Sequence, residues 1–139
     1  MISQREIAKA LRDKLSTATS LPIATEGAAF TPSPSVDYVR EFVLYGNERE
    51  VSLSGTGSKD QQGIYQIDIC TRVSGGKFGN LAVCDTIKPH FAQSALPGGL
   101  VLLDVSSIGI RNDVSSSGIR NDGTHLVTSL RVRWRVVKI

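Results

Sequence analysis

Two cysteines, two histidines and a row of three arginines are the residues whose types could do chemistry in this chain. Cys70 or Cys84 with His90 or His125 would supply a thiolate and its base. Cys84 and His90 stand six positions apart, on different faces of any helix, and no Asn or Asp marks itself as a third member. Metal binding fares no better, because the two histidines and two thiols lack ligand spacing. Gly55-Thr56-Gly57 leads towards a strand, whereas a phosphate-cradling loop opens a helix. Gly75-Gly76-Lys77 lacks both the Gly five residues earlier and the Ser or Thr after Lys that such a loop requires. Both read as turns. Asp68 and Asp104 lie on predicted strands with no second acid to pair with. No enzyme is expected, and no cofactor or metal site.

Arg131, Arg133 and Arg135 alternate with Val132, Trp134 and Val136. A period of two places the arginines on one side of a strand, as a positive band able to meet phosphates or an acidic partner. The plainer reading is a solvated sheet face whose arginine stems cover apolar surface. No aromatics interleave with them on that side, which argues against a base-stacking platform for single strands.

The elements that must position these residues are organised around Gly63 to Phe91. Tyr65, Ile67, Ile69 and Thr71 alternate with Gln66, Asp68, Cys70 and Arg72, the pattern of a half-buried strand over 63–73. After Gly75-Gly76, the residues Phe78, Leu81, Ala82, Ile87 and Phe91 predict one face of a helix over 76–91. Ile7, Ala8, Leu11 and Leu15, with Ser3 placed three before Glu6 as in a capping box, predict a first helix over 3–16. Residues 17–37 carry Pro22, Pro32 and Pro34 and no periodicity; the apolar Leu21, Ile23, Ala28, Ala29 and Phe30 imply a long loop docked on its own sheet or on a neighbour.

Further strands are predicted over 38–45 and 50–54, the first with Val39, Glu41, Val43 and Tyr45 on one side. Gly46-Asn47 is read as the turn between them, and Val51 and Leu53 face inward. Gly55 to Gly63 reads as a polar loop. Pro97-Gly98-Gly99 is a turn before a strand over 100–111, and the last strand spans 124–137. That last strand is about twice the usual length, so part of it is expected to outrun its partner and leave backbone groups for a neighbouring chain. Between them Ser106-Ser107-Ile108-Gly109-Ile110-Arg111-Asn112-Asp113 is echoed by Ser115-Ser116-Ser117-Gly118-Ile119-Arg120-Asn121-Asp122. Two copies are too few for a solenoid; they describe a lengthened loop or a projecting hairpin that reaches a partner, with Asp122-Gly123 as a turn.

These elements add up to one α+β domain, residues 1–139: a single mixed or antiparallel sheet of about five strands with two α-helices on one face. The expected core is Tyr65, Ile67, Ile69, Leu81, Ile87, Phe91, Leu130, Val132 and Trp134. At 139 residues with 40% hydrophobic and 21% charged residues, the chain has the composition of a globular domain, and its formal charge of +3 does not by itself argue for nucleic acid. The N-terminus carries charges where a signal peptide needs an apolar core, and no run reaches membrane-spanning length, so an aqueous cytoplasmic setting with reduced thiols and no membrane partner is expected.

The order of elements, with Tyr38-Val39-Arg40, Phe42-Val43-Leu44, Leu53-Ser54-Gly55, Gly63 to Ile69, the helix ending in Phe91, and Asp122-Gly123 before Arg133-Trp134-Arg135, resembles the tail terminator-like proteins of long-tailed bacteriophages over residues 5 to 137. The nine-residue repeat departs from that pattern. The resemblance implies a structural protein of the virion tail, assembled in the host cytoplasm. It implies a ring, a homo-hexamer, that caps the head-proximal end of the tail tube, stops its polymerisation and meets a head-completion or connector protein while DNA passes the lumen without sequence recognition. On that view Arg131, Arg133 and Arg135 would face the ring interior or DNA. Gly57, Ser58, Lys59, Asp60, Arg111, Asn112, Arg120 and Asn121 would make axial contacts with the tube protein or the connector. The alternatives are another neck or minor tail protein, or a small monomeric binding module for an acidic or nucleic-acid ligand.

Overall fold

The computed structural model describes residues 3–25, 27, 36–50, 59–92, 94–108, 120–121 and 125–138. The inward face of the predicted strand over 50–54, Gly57 and Ser58, Arg111 and Asn112, and the Asp122-Gly123 turn lie outside the described residues.

Helix α1 (Gln4–Ala18) begins as its sequence dictates. The Ser3 hydroxyl accepts from the Glu6 backbone N–H at 3.2 Å and also lies 3.2 Å from the Glu6 carboxylate. Ile7, Leu11, Leu15 and Ala18 then form a single buried stripe along the helix. The chain leaves it through Thr19, whose hydroxyl accepts from the Leu21 N–H.

The strands are β1 (Ile23–Thr25), β2 (Tyr38–Glu50), β3 (Lys59–Arg72), β4 (Ser94–Leu96), β5 (Leu100–Ile108), β6 (Arg120–Asn121) and β7 (His125–Lys138). They form one mixed sheet in the order β1-β2-β3-β7-β5-β4, parallel only between β1 and β2; β6 pairs with β7 beyond the end of β5. Seven strands among the described residues exceed the expected five because β1, β4 and β6 are only two or three residues long, too short to show a period. The docked part of the 17–37 loop lies on the chain's own sheet: β1 pairs with Val39 to Glu41, and Leu21 and Ile23 pack against the core.

Three expectations are corrected. Gly46-Asn47 is not a turn; β2 runs through it with a bulge between Tyr45 and Glu48. Glycine is required there, since a Cβ on Gly46 would stand 2.2 Å from the Gln62 carbonyl oxygen. The polar loop gives way to strand from Lys59, so β3 is as long as β7. The two pair from Arg72↔His125 to Lys59↔Lys138, leaving no part of β7 overhanging.

Helix α2 (Gly76–Ile87), extended by a short 3-10 turn over Lys88–Phe91, packs beside α1 on the same face. One core joins Ile7, Leu11 and Leu15 to Cys84, Ile87 and Phe91 and to the inward strand residues Tyr65, Ile67, Ile69, Leu130, Val132 and Trp134. Leu81, expected in that core, is only half-buried, and Phe78 is 80% exposed, because α2 turns Asn80, Cys84 and Ile87 inward instead. At the other end Gly63 lies beneath Trp134, which meets Tyr45 edge-on at 5.9 Å; a Cβ on Gly63 would overlap the indole and the Leu44 carbonyl oxygen, each 2.2 Å away.

Candidate functional site

The face of the sheet turned away from the helices carries the arginines. Leu130, Val132, Trp134 and Val136 are buried on the helix side, so Arg131, Arg133 and Arg135 must project from the other. Register places neighbours beside each of them. Gln66 stands opposite Arg131, and Ile64 and Asp104 flank Arg133, while Gln62 and Val101 flank Arg135.

Two of the three arginines are tied to carboxylates of their own chain. The Arg133 guanidinium donates from Nε to both Asp104 oxygens at 3.1 Å, and its Nη2 lies 2.9 Å from Oδ2. This fork-to-fork geometry depends on a bulge in β5. Leu100 and Leu102 face the core opposite Val136 and Trp134, so strict alternation would send Asp104 there too; the register shift between Leu102 and Asp104 turns it to the arginine side. Arg135 donates to Asp60 at 2.7 Å, and Arg49 reaches the other oxygen of that carboxylate at 3.4 Å. Asp60 is 3% exposed, and the hydrogen bond from Arg135, opposed by burial, holds its carboxyl below the usual carboxylate range. Arg131 meets only a neutral partner among the described residues, the Gln66 side-chain oxygen at 3.4 Å.

Farther along the same face Asp68 is buried, accepting from Ser129 at 2.7 Å and from Arg40 at 3.3 Å. The face thus bears Arg40, Arg49, Arg131, Arg133 and Arg135 against Asp60, Asp68 and Asp104. Among these described residues the arginines outnumber the carboxylates, Arg131 has no carboxylate beside it, and the other guanidinium groups are oriented by carboxylates. Such a face can meet a diffuse array of phosphates; it is not arranged to read base edges.

Of the expected axial residues, Lys59 is exposed and lies 3.8 Å from Glu48, whereas Asp60 is buried in the arginine pair just described. Arg120 and Asn121 form β6 beside Val127 and Leu126. The structure therefore brings Asp60 together with the arginine row and sets Arg120 and Asn121 along another part of β7.

Two buried polar centres on the helix side escaped sequence reasoning. Asn80, fully buried, has its two amide N–H donors within reach of three acceptors, the Thr71 hydroxyl at 2.9 Å and the Leu126 and Ile69 carbonyls at 3.0 and 3.2 Å, and accepts from Thr128 at 2.6 Å. Glu41, 4% exposed, accepts from Tyr65 at 2.6 Å and Thr25 at 2.9 Å, with Arg12 at 3.6 Å. Burial first, then Glu41, pushes the Tyr65 phenol far above its ordinary range. The signal for Glu41 was a lone carboxylate in the inward row of β2. The thiols are poor nucleophiles: Cys84 is buried against Asn80, and burial pushes it up to about 11, while Cys70 is fully buried. Among the described residues no three His, Cys, Asp or Glu side chains are grouped to hold a metal. No described helix is long and apolar enough to cross a membrane.

Comparison with known families decides what kind of protein carries this face. The family model described as phage tail terminator protein matches residues 6–134. The chain belongs to the phage tail terminator family. A solved structure at 17% sequence identity covers 100% of this chain and 98% of its own with a TM-score of 0.71, which shows the fold of this terminator chain to be shared. No curated protein matches it significantly. Membership makes the terminator chain a structural component of the phage tail.

Proposed function

We propose that this chain closes with copies of itself into a ring, a hexamer, that caps the head-proximal end of the tail tube, stops its polymerisation and presents the joining surface to a head-completion or connector protein. It acts by assembly, without turnover. The observation that carries this reading is the family match over residues 6–134. The shape of the sheet supports it. Among the described residues the sheet stays open, ending in β1 on one side and β4 on the other, each three residues long. Heterologous contacts between copies would use such open sides and close into a ring.

The arginine face supports a lumen role. With Arg133 and Arg135 held by Asp104 and Asp60, it offers a mildly positive wall past which DNA slides, with Arg131 as its most available charge. The same ion pairs argue against a monomeric module that grips an acidic ligand through all three arginines. Gly57, Ser58, Lys59, Arg111, Asn112, Arg120 and Asn121 are the proposed axial contacts with the tube protein and the connector, while Asp60 is taken up by Arg135 and Arg49.

The test joins two measurements. Light scattering across protein and salt concentrations gives the solution mass, with a hexamer expected. Tail tubes polymerised with and without the chain are then sized by electron microscopy, and defined, capped lengths are expected. A chain that neither assembles nor alters tube length overturns the reading.

A further inference from the structure

At the Trp134 end of the core two buried side-chain atoms have no hydrogen-bond partner among the described residues. One is the indole Nε1–H of Trp134, which can only donate; the other is Oε1 of Gln61, which can only accept. Trp134 is fully buried and Gln61 is 2% exposed. Polar groups this deep in a folded chain are almost always paired, with protein or with ordered water. Turning the Gln61 amide round does not settle the matter. Its Nε2 donates to the Gly46 carbonyl at 2.8 Å, and a reversed amide would set Oε1 against that oxygen.

Donor and acceptor are neighbours on one face of the sheet. Gly63 pairs with Trp134 and Gln61 with Val136, so both β3 positions belong to the row that faces the helices. The indole lies over Gly63: its Cε2, the carbon bonded to Nε1, would stand 2.5 Å from a Cβ there. Same-face neighbours on a strand are about 7 Å apart, and the glutamine side chain covers part of that interval. One water spans a donor and an acceptor about 5 Å apart. On the other side of Gly63 the row continues with Tyr65, whose hydroxyl is spent on Glu41, so Gln61 is the polar neighbour that remains. The Leu44 carbonyl oxygen borders the same Cβ position and has a second lone pair for a further proton.

We infer that one internal water molecule bridges Trp134 to Gln61, accepting from the indole Nε1–H and donating to Oε1. It completes a hydrogen-bonded chain from the Gly46 carbonyl through Gln61 to the core, and so fastens the bulge of β2 to Trp134. The stretch of β2 and β3 beyond the bulge, which ends in Glu50 and Lys59, is anchored through it. This concerns the single chain and stands apart from the ring reading.

Trp134 is the one tryptophan of the chain, so its indole N–H gives a single signal in a nitrogen-labelled sample. Water-selective NOE and ROE spectra of the full chain should show a cross-peak between water and that proton, the two of opposite sign, which marks a held molecule and not proton exchange. In Gln61→Leu, which keeps the bulk and removes the acceptor, the cross-peak should vanish. A wild-type spectrum without it overturns the inference, and so does a cross-peak that survives in Gln61→Leu. If circular dichroism shows that variant to be misfolded, a crystal structure of the wild-type chain decides. Density for a water within about 3.2 Å of both atoms supports the bridge; no water there, or a direct bond between Trp134 and Gln61, overturns it.

Discussion

Replacing Asn80 with Ala should cost about 3 kcal/mol. The side chain is fully buried and joins α2 to β3 and β7 at the end of the sheet farthest from Trp134. Its removal strips the Thr128 hydroxyl of an acceptor at 2.6 Å and the Thr71 hydroxyl of a donor at 2.9 Å, and both threonines are only 3% exposed. A buried polar group left unsatisfied costs roughly 1–3 kcal/mol. Hydroxyls can rotate towards other partners and carbonyls retain capacity for other donors, so the losses do not add in full. Urea unfolding at fixed protein concentration is the assay, because self-association would otherwise shift the midpoint. Thr128→Val removes the hydroxyl while keeping the shape, and the double variant should recover about 1–2 kcal/mol relative to the sum of the single ones. A loss under about 1 kcal/mol for Asn80→Ala, or a strictly additive cycle, would refute the claim that this network fastens the helix.

Gly63→Ala should lower stability by about 3 kcal/mol or more, seen as a lower melting temperature, since its Cβ would overlap both the Trp134 ring and the Leu44 carbonyl oxygen. The arginines should rank by what each leaves behind. Arg135→Ala, which strands the buried Asp60 with Arg49 alone, costs about 1–2 kcal/mol; Arg133→Ala costs about 0.5–1; and Arg131→Ala costs under about 0.5 in the same urea assay. Asp60 ionises in the folded chain below its ordinary value of 3.8, so its stabilising effect is complete above that pH and is lost as pH falls through the folded value. Below about pH 4 the wild type should therefore lose stability faster than Asp60→Asn, and equal slopes in acid titrations of the unfolding midpoint would remove the argument. Cys70 and Cys84 should resist a thiol reagent until the chain is unfolded, and rapid native labelling of either would contradict their burial.

Where one physical signal dominated, the sequence was legible. The stripe of Ile7, Leu11 and Leu15 and the Ser3–Glu6 cap give α1, now Gln4–Ala18, and strict alternation from Leu130 to Val136 gives the two faces of β7. Helix α2 misled because apolar residues on both sides leave periodicity with no single answer, and the buried residue that fixes its orientation is a polar one, Asn80. The arginine row was visible as a row. Its neutralisation was not, because Asp104 reaches Arg133 through a one-residue bulge and Asp60 sits seventy-five positions from Arg135. Gly46 looked like a turn since glycine marks both turns and close backbone approaches, and only the neighbouring strand tells them apart.

The contrast between the centre of the sheet and its flanks has an evolutionary consequence. β3 and β7 stay in step from end to end, whereas β2 and β5, the strands on either side, each slip once. A slip absorbs an inserted or deleted residue locally, so side chains beyond it keep the faces they need. The central pair acts as a ruler of fixed register and the outer strands as adjustable joints. Residues can then be added, lost or exchanged at the flanks while the spine keeps its dimensions, which is one way for two chains to share a fold at 17% identity.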